Sequence, residues 1–161
     1  MAFSTGDHVP SFTARRDDGQ AFQFNPGRWT VLYFFPKTAT THCQLQARQY
    51  QAHLSAFYEL GAEVIGVNGD PRREQVQFRD LCRLDYPLLN DQSQALSREF
   101  DLLDEVWPGE SVQRPRRETF LIGPDGVIRR HWKAVDPAQD ALSVLGALRE
   151  LKEGETGHPL T

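Results

Sequence analysis

Apolar positions along this chain alternate between two spacings. Thr30-Val31-Leu32-Tyr33-Phe34-Phe35 is an unbroken β-rich run, and with Trp29 it reads as a strand buried on both faces. Residues 41–60 switch to helical spacing: Leu45, Ala52, Leu54, Phe57, Tyr58 and Leu60 recur mostly at helical intervals, and Gly61 supplies the stop. Val64-Ile65-Gly66-Val67-Asn68 is a second buried strand. Asp70-Pro71 reads as an N-cap followed by a proline at the first helical position. That helix is expected to run to about Arg83, with Val76, Phe78, Leu81 and Cys82 on its inner face.

The flanking segments fit the same scheme. Residues 6–12 and Phe22-Gln23-Phe24, around the turn residues Asp17-Asp18-Gly19, suggest a short edge hairpin. Residues 86–91 are a short strand leading into a turn, residues 95–100 a brief helix, and residues 102–116 a loop without clear period. Runs at 119–122 and 127–132 flank Gly123-Pro124-Asp125-Gly126 and read as an antiparallel hairpin. Asp136-Pro137 repeats the cap-plus-proline start, Leu142, Leu145, Leu148 and Leu151 mark the inner face of a last helix, and residues 154–161 read as a frayed polar tail.

This element order is that of an α/β thioredoxin-like fold: a central mixed β-sheet flanked by helices, with an N-terminal edge hairpin. No repeat, linker or low-complexity stretch divides the 161 residues, so one domain is expected. The net charge of −4 gives no reason to expect a nucleic-acid or membrane partner. The arginines at 114, 116, 117, 129 and 130 and Lys133 are interrupted by strand patterning and lack an interleaved stacking motif. No apolar run approaches the ~20 residues that span a bilayer. The N-terminus lacks a basic region followed by an apolar one, so a cytoplasmic location is expected. Histidines at 8, 42, 53, 131 and 158 show no ligand spacing, so no metal is expected. Trp107 and Trp132 read as packing residues or loop anchors.

Chemistry concentrates after the first buried strand, in Pro36-Lys37-Thr38-Ala39-Thr40-Thr41-His42-Cys43. A proline-initiated loop here places Cys43 in the first turn of a helix, where free N–H groups and the helix dipole stabilise a thiolate. Thr40, three residues earlier, can turn its hydroxyl toward the sulfur or cap the helix. Taken alone, Cys43 reads equally well as a small buried apolar residue.

Pro36-x-x-x-Thr40-x-x-Cys43 after an aromatic strand resembles the active-site signature of the peroxiredoxins, and most closely their bacterioferritin-comigratory-protein (Q-type) subfamily. Gly6, Asp7, Pro10 and Phe12 match that family's opening phrase, and Arg117-Glu118-Thr119-Phe120-Leu121-Ile122 matches its Arg-x-Thr-Phe-x-Ile. The resemblance extends from Gly6 to about Leu151. It implies a thiol-dependent peroxidase for hydrogen peroxide and organic hydroperoxides, in which Cys43 becomes a sulfenic acid while Pro36, Thr40 and Arg117 shape and charge the pocket. It implies no metal, flavin or haem cofactor, because sulfur carries the electrons. Lys37 also fits the subfamily's phrase, although a surface lysine is the simpler assignment.

Two departures stand out. Relatives often carry Pro-Gly before the reactive cysteine, where Thr41-His42 stand here, and His42 reads as an exposed residue at a helix start. Many relatives place a resolving cysteine five residues after the first, where this chain has Arg48. Some members place it on the following helix. Cys82, 39 positions on (82 − 43), lies there about one turn from the matching place. The resemblance thus implies a Cys43–Cys82 disulfide recycled by thioredoxin or a similar dithiol protein, and a monomer is the expected state. Two alternatives stand beside it: a one-cysteine enzyme using an external thiol, and a redox-sensing binding module on the same fold.

Overall fold

Strands and helices alternate through residues 2–104 and 106–155, which the computed structural model describes. The strands are β1 (Phe12–Arg16), β2 (Ala21–Phe24), β3 (Trp29–Phe34), β4 (Ala62–Asn68), β5 (Leu88–Asn90), β6 (Glu118–Ile122) and β7 (Ile128–Trp132). The helices are α1 (Thr41–Ala52), α2 (Leu54–Glu59), α3 (Arg72–Cys82), α4 (Ala95–Glu99) and α5 (Asp140–Glu155). The strands form one sheet in the order β2-β1-β5-β4-β3-β6-β7. Pairing is parallel at β5-β4 and β4-β3 and antiparallel elsewhere. The mixed sheet and the N-terminal hairpin at its edge are those expected from the sequence.

Every residue of β3 is buried because both faces of the sheet are covered. Successive side chains point to opposite faces. Val31, Tyr33 and Phe35 therefore enter a core shared with α1, α2, α3 and α5, while Leu32 and Phe34 enter a second core with Leu96, Phe100 and Leu102. Gly66 pairs with Tyr33 across β3-β4. A Cβ there would lie 2.9 Å from Leu88 and 3.0 Å from the Tyr33 ring, so glycine leaves room for the ring. Tyr33 stacks on Tyr50 of α1 with 4.7 Å between centroids, which ties α1 to the sheet about two turns past Cys43.

Several elements differ from the sequence pattern. The hairpin's first strand begins at Phe12. Residues 6–9 instead bond to the end of the later hairpin, Gly6 N–H to Ile128 C=O and Val9 N–H to Gly126 C=O, as Val9 enters the second core. The helix expected over 41–60 is interrupted at His53, whose φ of −107° and ψ of 10° leave the helical region. The inner face of α1 is Cys43, Gln46, Ala47 and Tyr50, while Leu45, Ala52 and Tyr58 are exposed. Two polar-capable side chains on the buried stripe hid that face from a hydrophobicity pattern.

In α3, Phe78 and Cys82 are buried as expected, but Gln75 joins them, Val76 lies outside, and Leu81 is 56% exposed. Asp70 does not cap this helix; Pro71 occupies the N-cap, and the Asp70 carboxylate serves the loop after β3. Helix α5 begins four residues after the expected cap, because Asp136 closes a separate turn by accepting from Ala138 N–H. Leu142 is exposed, and Ala141, Val144, Leu145 and Leu148 pack inward. Gly154 and Glu155 are helical; the rest of the expected tail, 156–161, lies outside the described residues.

Candidate active site

Strand β3 delivers the chain to Pro36, which is buried, and the loop beyond it ends at Thr40, the N-cap of α1. The Thr40 hydroxyl accepts from Cys43 N–H at 3.3 Å and donates to Lys37 C=O at 3.2 Å. Both of its hydrogen-bonding roles are thus taken by main chain, and the hydroxyl caps the helix instead of donating to sulfur. Cys43 follows in the first turn, only 1% exposed. Thr41 and His42 are exposed and leave the cap intact.

Arg117 reaches this cysteine from the residue preceding β6. Its Nη2 donates to Cys43 Sγ at 3.2 Å, and its Nη1 donates to Gln46 Oε1 at 2.6 Å. A rigid fork of donors can hold two acceptors in fixed relation, which a single ammonium does less well. Gln46 is held from behind: its Nε2 donates to Asp140 Oδ2 at 3.0 Å. The same oxygen accepts from Tyr50 Oη at 2.6 Å and Thr119 Oγ1 at 2.8 Å. Burial pushes the Asp140 carboxyl up, while these three donors and the Arg117 charge work against that rise. With an acceptor behind it and a donor in front, the Gln46 amide can present only its carbonyl to Arg117. Gln46 and Asp140 were not singled out from the sequence. The signal for Gln46 was its place three residues after Cys43, on one helical face; Asp140, 97 positions (140 − 43) after Cys43, carried none.

The loop carrying Pro36 is clamped by charges. Asp70 Oδ2 accepts from Thr38 N–H and Thr38 Oγ1, both at 2.8 Å, and Asp70 Oδ1 pairs with Arg114. Arg114 also donates to Pro36 C=O at 3.2 Å, pairs with Glu110, and lies over the Trp107 ring, which is thus a loop anchor. Lys37 is half-buried, with Nζ 3.7 Å from Glu110. Burial alone would raise the Asp70 carboxyl, but the Thr38 N–H, Arg114 and the Thr38 hydroxyl outweigh it and hold the group below its ordinary value.

Removing Arg114 leaves the Asp70 carboxylate buried without its cation. Arg114→Ala is expected to cost about 3 kcal/mol, read as a lower midpoint in urea unfolding. The stability that Asp70 supplies is complete above the unfolded carboxyl's pKa of about 3.9 and lost as pH falls through its lower folded value. The gap between the native protein and Asp70→Asn should therefore be wide at neutral pH and close in acid. A gap of equal width at all pH values would remove the charge from this account.

Cys82 is placed differently. It is the last residue of α3, 6% exposed, and is followed by Arg83 in the left-handed region at φ 53°. It shares the first core with Cys43, and both cysteines are free thiols. Burial raises the Cys82 thiol above its ordinary value, with the Arg48 guanidinium pulling the other way. The structure therefore brings Thr40 and Arg117 onto Cys43, sets Pro36 at the start of the same loop, and places Cys82 on a neighbouring helix.

Residues 5–131 match the AhpC/TSA family model. The chain belongs to the AhpC/TSA family. Peroxiredoxin Bcp of Xanthomonas campestris is 35% identical over 124 residues, 76% of this chain and 78% of that protein. Peroxiredoxin Bcp of Bacillus subtilis is 28% identical over 160 residues, 95% of this chain and 99% of the relative. Among solved structures, a mutant of the PrxQ of Xylella fastidiosa superposes with a TM-score of 0.88 at 25% identity, covering 95% of this chain and 99% of that one. The fold and family expected from the sequence hold: a thioredoxin-like peroxiredoxin of the Bcp and Q kind, a thiol-dependent peroxidase. No described helix is long and apolar enough to cross a membrane.

Proposed function

We propose that Cys43 is the peroxidatic thiolate and that Cys82 resolves its oxidised form. The contact of Arg117 Nη2 with Cys43 Sγ, at a helix N-terminus, carries the assignment. A cation and a helix dipole converge there on one sulfur, which favours the charged nucleophile. The Cys43 sulfur attacks the nearer oxygen of hydrogen peroxide or an organic hydroperoxide. An S–O bond forms, the O–O bond breaks, and the departing oxygen leaves as water or alcohol after taking a proton. Arg117 donates to the charge that develops across sulfur and oxygen, with Gln46 holding the fork in place. Pro36 and the Thr40-capped turn close the sulfur to water.

Cys82 then attacks the sulfenic sulfur of Cys43, forming the disulfide and releasing water, and thioredoxin or a similar dithiol protein exchanges with that disulfide. A disulfide needs Cα atoms within about 4.4–6.8 Å, and the end of α3 or the start of α1 opens to let the two helix-bound cysteines meet. Helix ends do so at low cost. One domain, 1–161, carries the whole cycle as a cytoplasmic monomer.

The deciding experiment is intact mass with rapid kinetics on the reduced protein and one equivalent of hydrogen peroxide. Fast loss of two hydrogens with a mapped Cys43–Cys82 crosslink is the expected result. Fast gain of one oxygen on Cys43 without a crosslink would remove Cys82 from the mechanism and leave a one-cysteine peroxidase. Oxidation no faster than an ordinary thiol's would overturn the assignment of Cys43.

A further inference from the structure

Arg48 has no part in the peroxidatic centre, yet its position is specific. It lies five residues after Cys43 on α1, about 7.5 Å further along the helix axis. Its Nη2 donates to Leu81 C=O at 3.4 Å, which brings the guanidinium to the last turn of α3, beside Cys82. The end of a helix is the wrong place for a thiolate, because the unpaired carbonyls there present negative charge. Burial adds to that cost at Cys82. A neighbouring cation counters both.

Resting on the reading of Cys82 as the resolving thiol, we propose that Arg48 is a second catalytic arginine, stabilising the Cys82 thiolate as it attacks oxidised Cys43. In this step the Cys82 thiol gives up its proton, its sulfur bonds to Cys43 Sγ, and the Cys43 S–O bond breaks. The hydroxide released takes up a proton and leaves as water, so no other oxidant or reductant is needed. With its guanidinium at the Leu81 carbonyl, one residue before Cys82, the Arg48 charge favours the thiolate form.

Other groups near Cys82 do not supply this function. The Tyr86 hydroxyl is held protonated by burial and donates to Ala47 C=O. Arg79, on the same helix, is engaged with Asp17 and with the carbonyls of Leu84 and Tyr86. Asp85 accepts from Gln51 of α1. Arg48, held by a bond of 3.4 Å to the Leu81 carbonyl, keeps further donors to act on this sulfur.

The test separates charge from packing. Disulfide formation is followed by stopped flow after a peroxide pulse, from pH 5.5 to 9.5, in the native protein, Arg48→Lys, Arg48→Gln and Arg48→Ala. Cys43 oxidation on the same traces serves as the internal reference. Each pH unit that a thiol's titration moves is tenfold in thiolate at a pH below both values. Arg48→Gln and Arg48→Ala should therefore form the disulfide several-fold more slowly near neutral pH and converge on the native rate at the alkaline end. Arg48→Lys should retain most of the native rate.

A role as a mere latch on the end of α3 predicts something else. Arg48→Ala would then form the disulfide as fast or faster, by the same factor at every pH, and Arg48→Gln, which keeps a donor for Leu81, would resemble the native protein. Either result overturns the proposal while leaving Cys82 as the resolving thiol. Rapid Cys43 oxidation with no crosslink in the native protein would overturn the Cys82 reading and the role of Arg48 together.

Discussion

Cys43→Ser is expected to lower peroxide turnover at least about 1,000-fold, the scale on which loss of an essential nucleophile is felt. A serine hydroxyl at the same place gains little from the helix dipole and Arg117, because both stabilise a negative charge that an alcohol does not carry near neutral pH. The replacement is nearly isosteric, and Cys43 Sγ has the Arg117 hydrogen bond to pass on to an Oγ, so the variant should fold and keep its thermal midpoint. Cys82 cannot take over: burial holds its thiol up, and it stands at the end of α3, where the helix dipole disfavours a thiolate. The measurement is the second-order rate of peroxide consumption with a dithiol reductant. Retention of more than a tenth of native activity would mean that another group is the nucleophile.

Arg117→Ala should cost about 10²–10³ in the same rate constant, the range found when a single donor to a developing charge is removed, or about 2.7–4 kcal/mol. Two losses combine. The attacking sulfur forfeits the cation that faces it, so the rate near neutral pH falls. The transition state forfeits a donor aimed at sulfur and the incoming oxygen, so the plateau at high pH also falls. Arg117→Lys should lie between, because an ammonium restores charge but cannot hold Gln46 Oε1 and Cys43 Sγ with one planar fork. If Arg117→Ala lost less than tenfold, the contact with Cys43 would be structural.

The arginines show how far a linear reading reaches. Arg114, Arg116 and Arg117 stand within four positions and have similar local chemistry. Resemblance to a family phrase picked out Arg117, and the structure puts it on the sulfur. Arg114 turns out to clamp the active-site loop through Asp70 and Pro36, and Arg116 pairs with Glu118 and Asp104. Nothing in residue type separates these roles. Each depends on which side the chain faces as it enters β6. Asp70 is a related case, since Asp-Pro before a helical run is a sound capping pattern, yet a loop 32 positions away claims the carboxylate.

By itself the sequence determined most of the strands, the turns of the two hairpins, the approximate extent of most helices and the cysteine-bearing turn. These rest on interactions between near neighbours: side-chain alternation, helical spacing, turn residues, and a threonine three positions before a cysteine. It also determined the family, through short phrases that local geometry keeps together. Only the tertiary structure decided the inner face of α1, the Arg117–Gln46–Asp140 chain behind the sulfur, the Asp70–Arg114 clamp and the place of Cys82 beside Arg48. The last three of these join groups far apart along the chain, and the first three bury polar atoms where hydrophobic patterning expects none. A buried polar side chain is tolerated only when its partners arrive from other elements. Those partners are brought together by packing, and packing is not written in the spacing of any one segment.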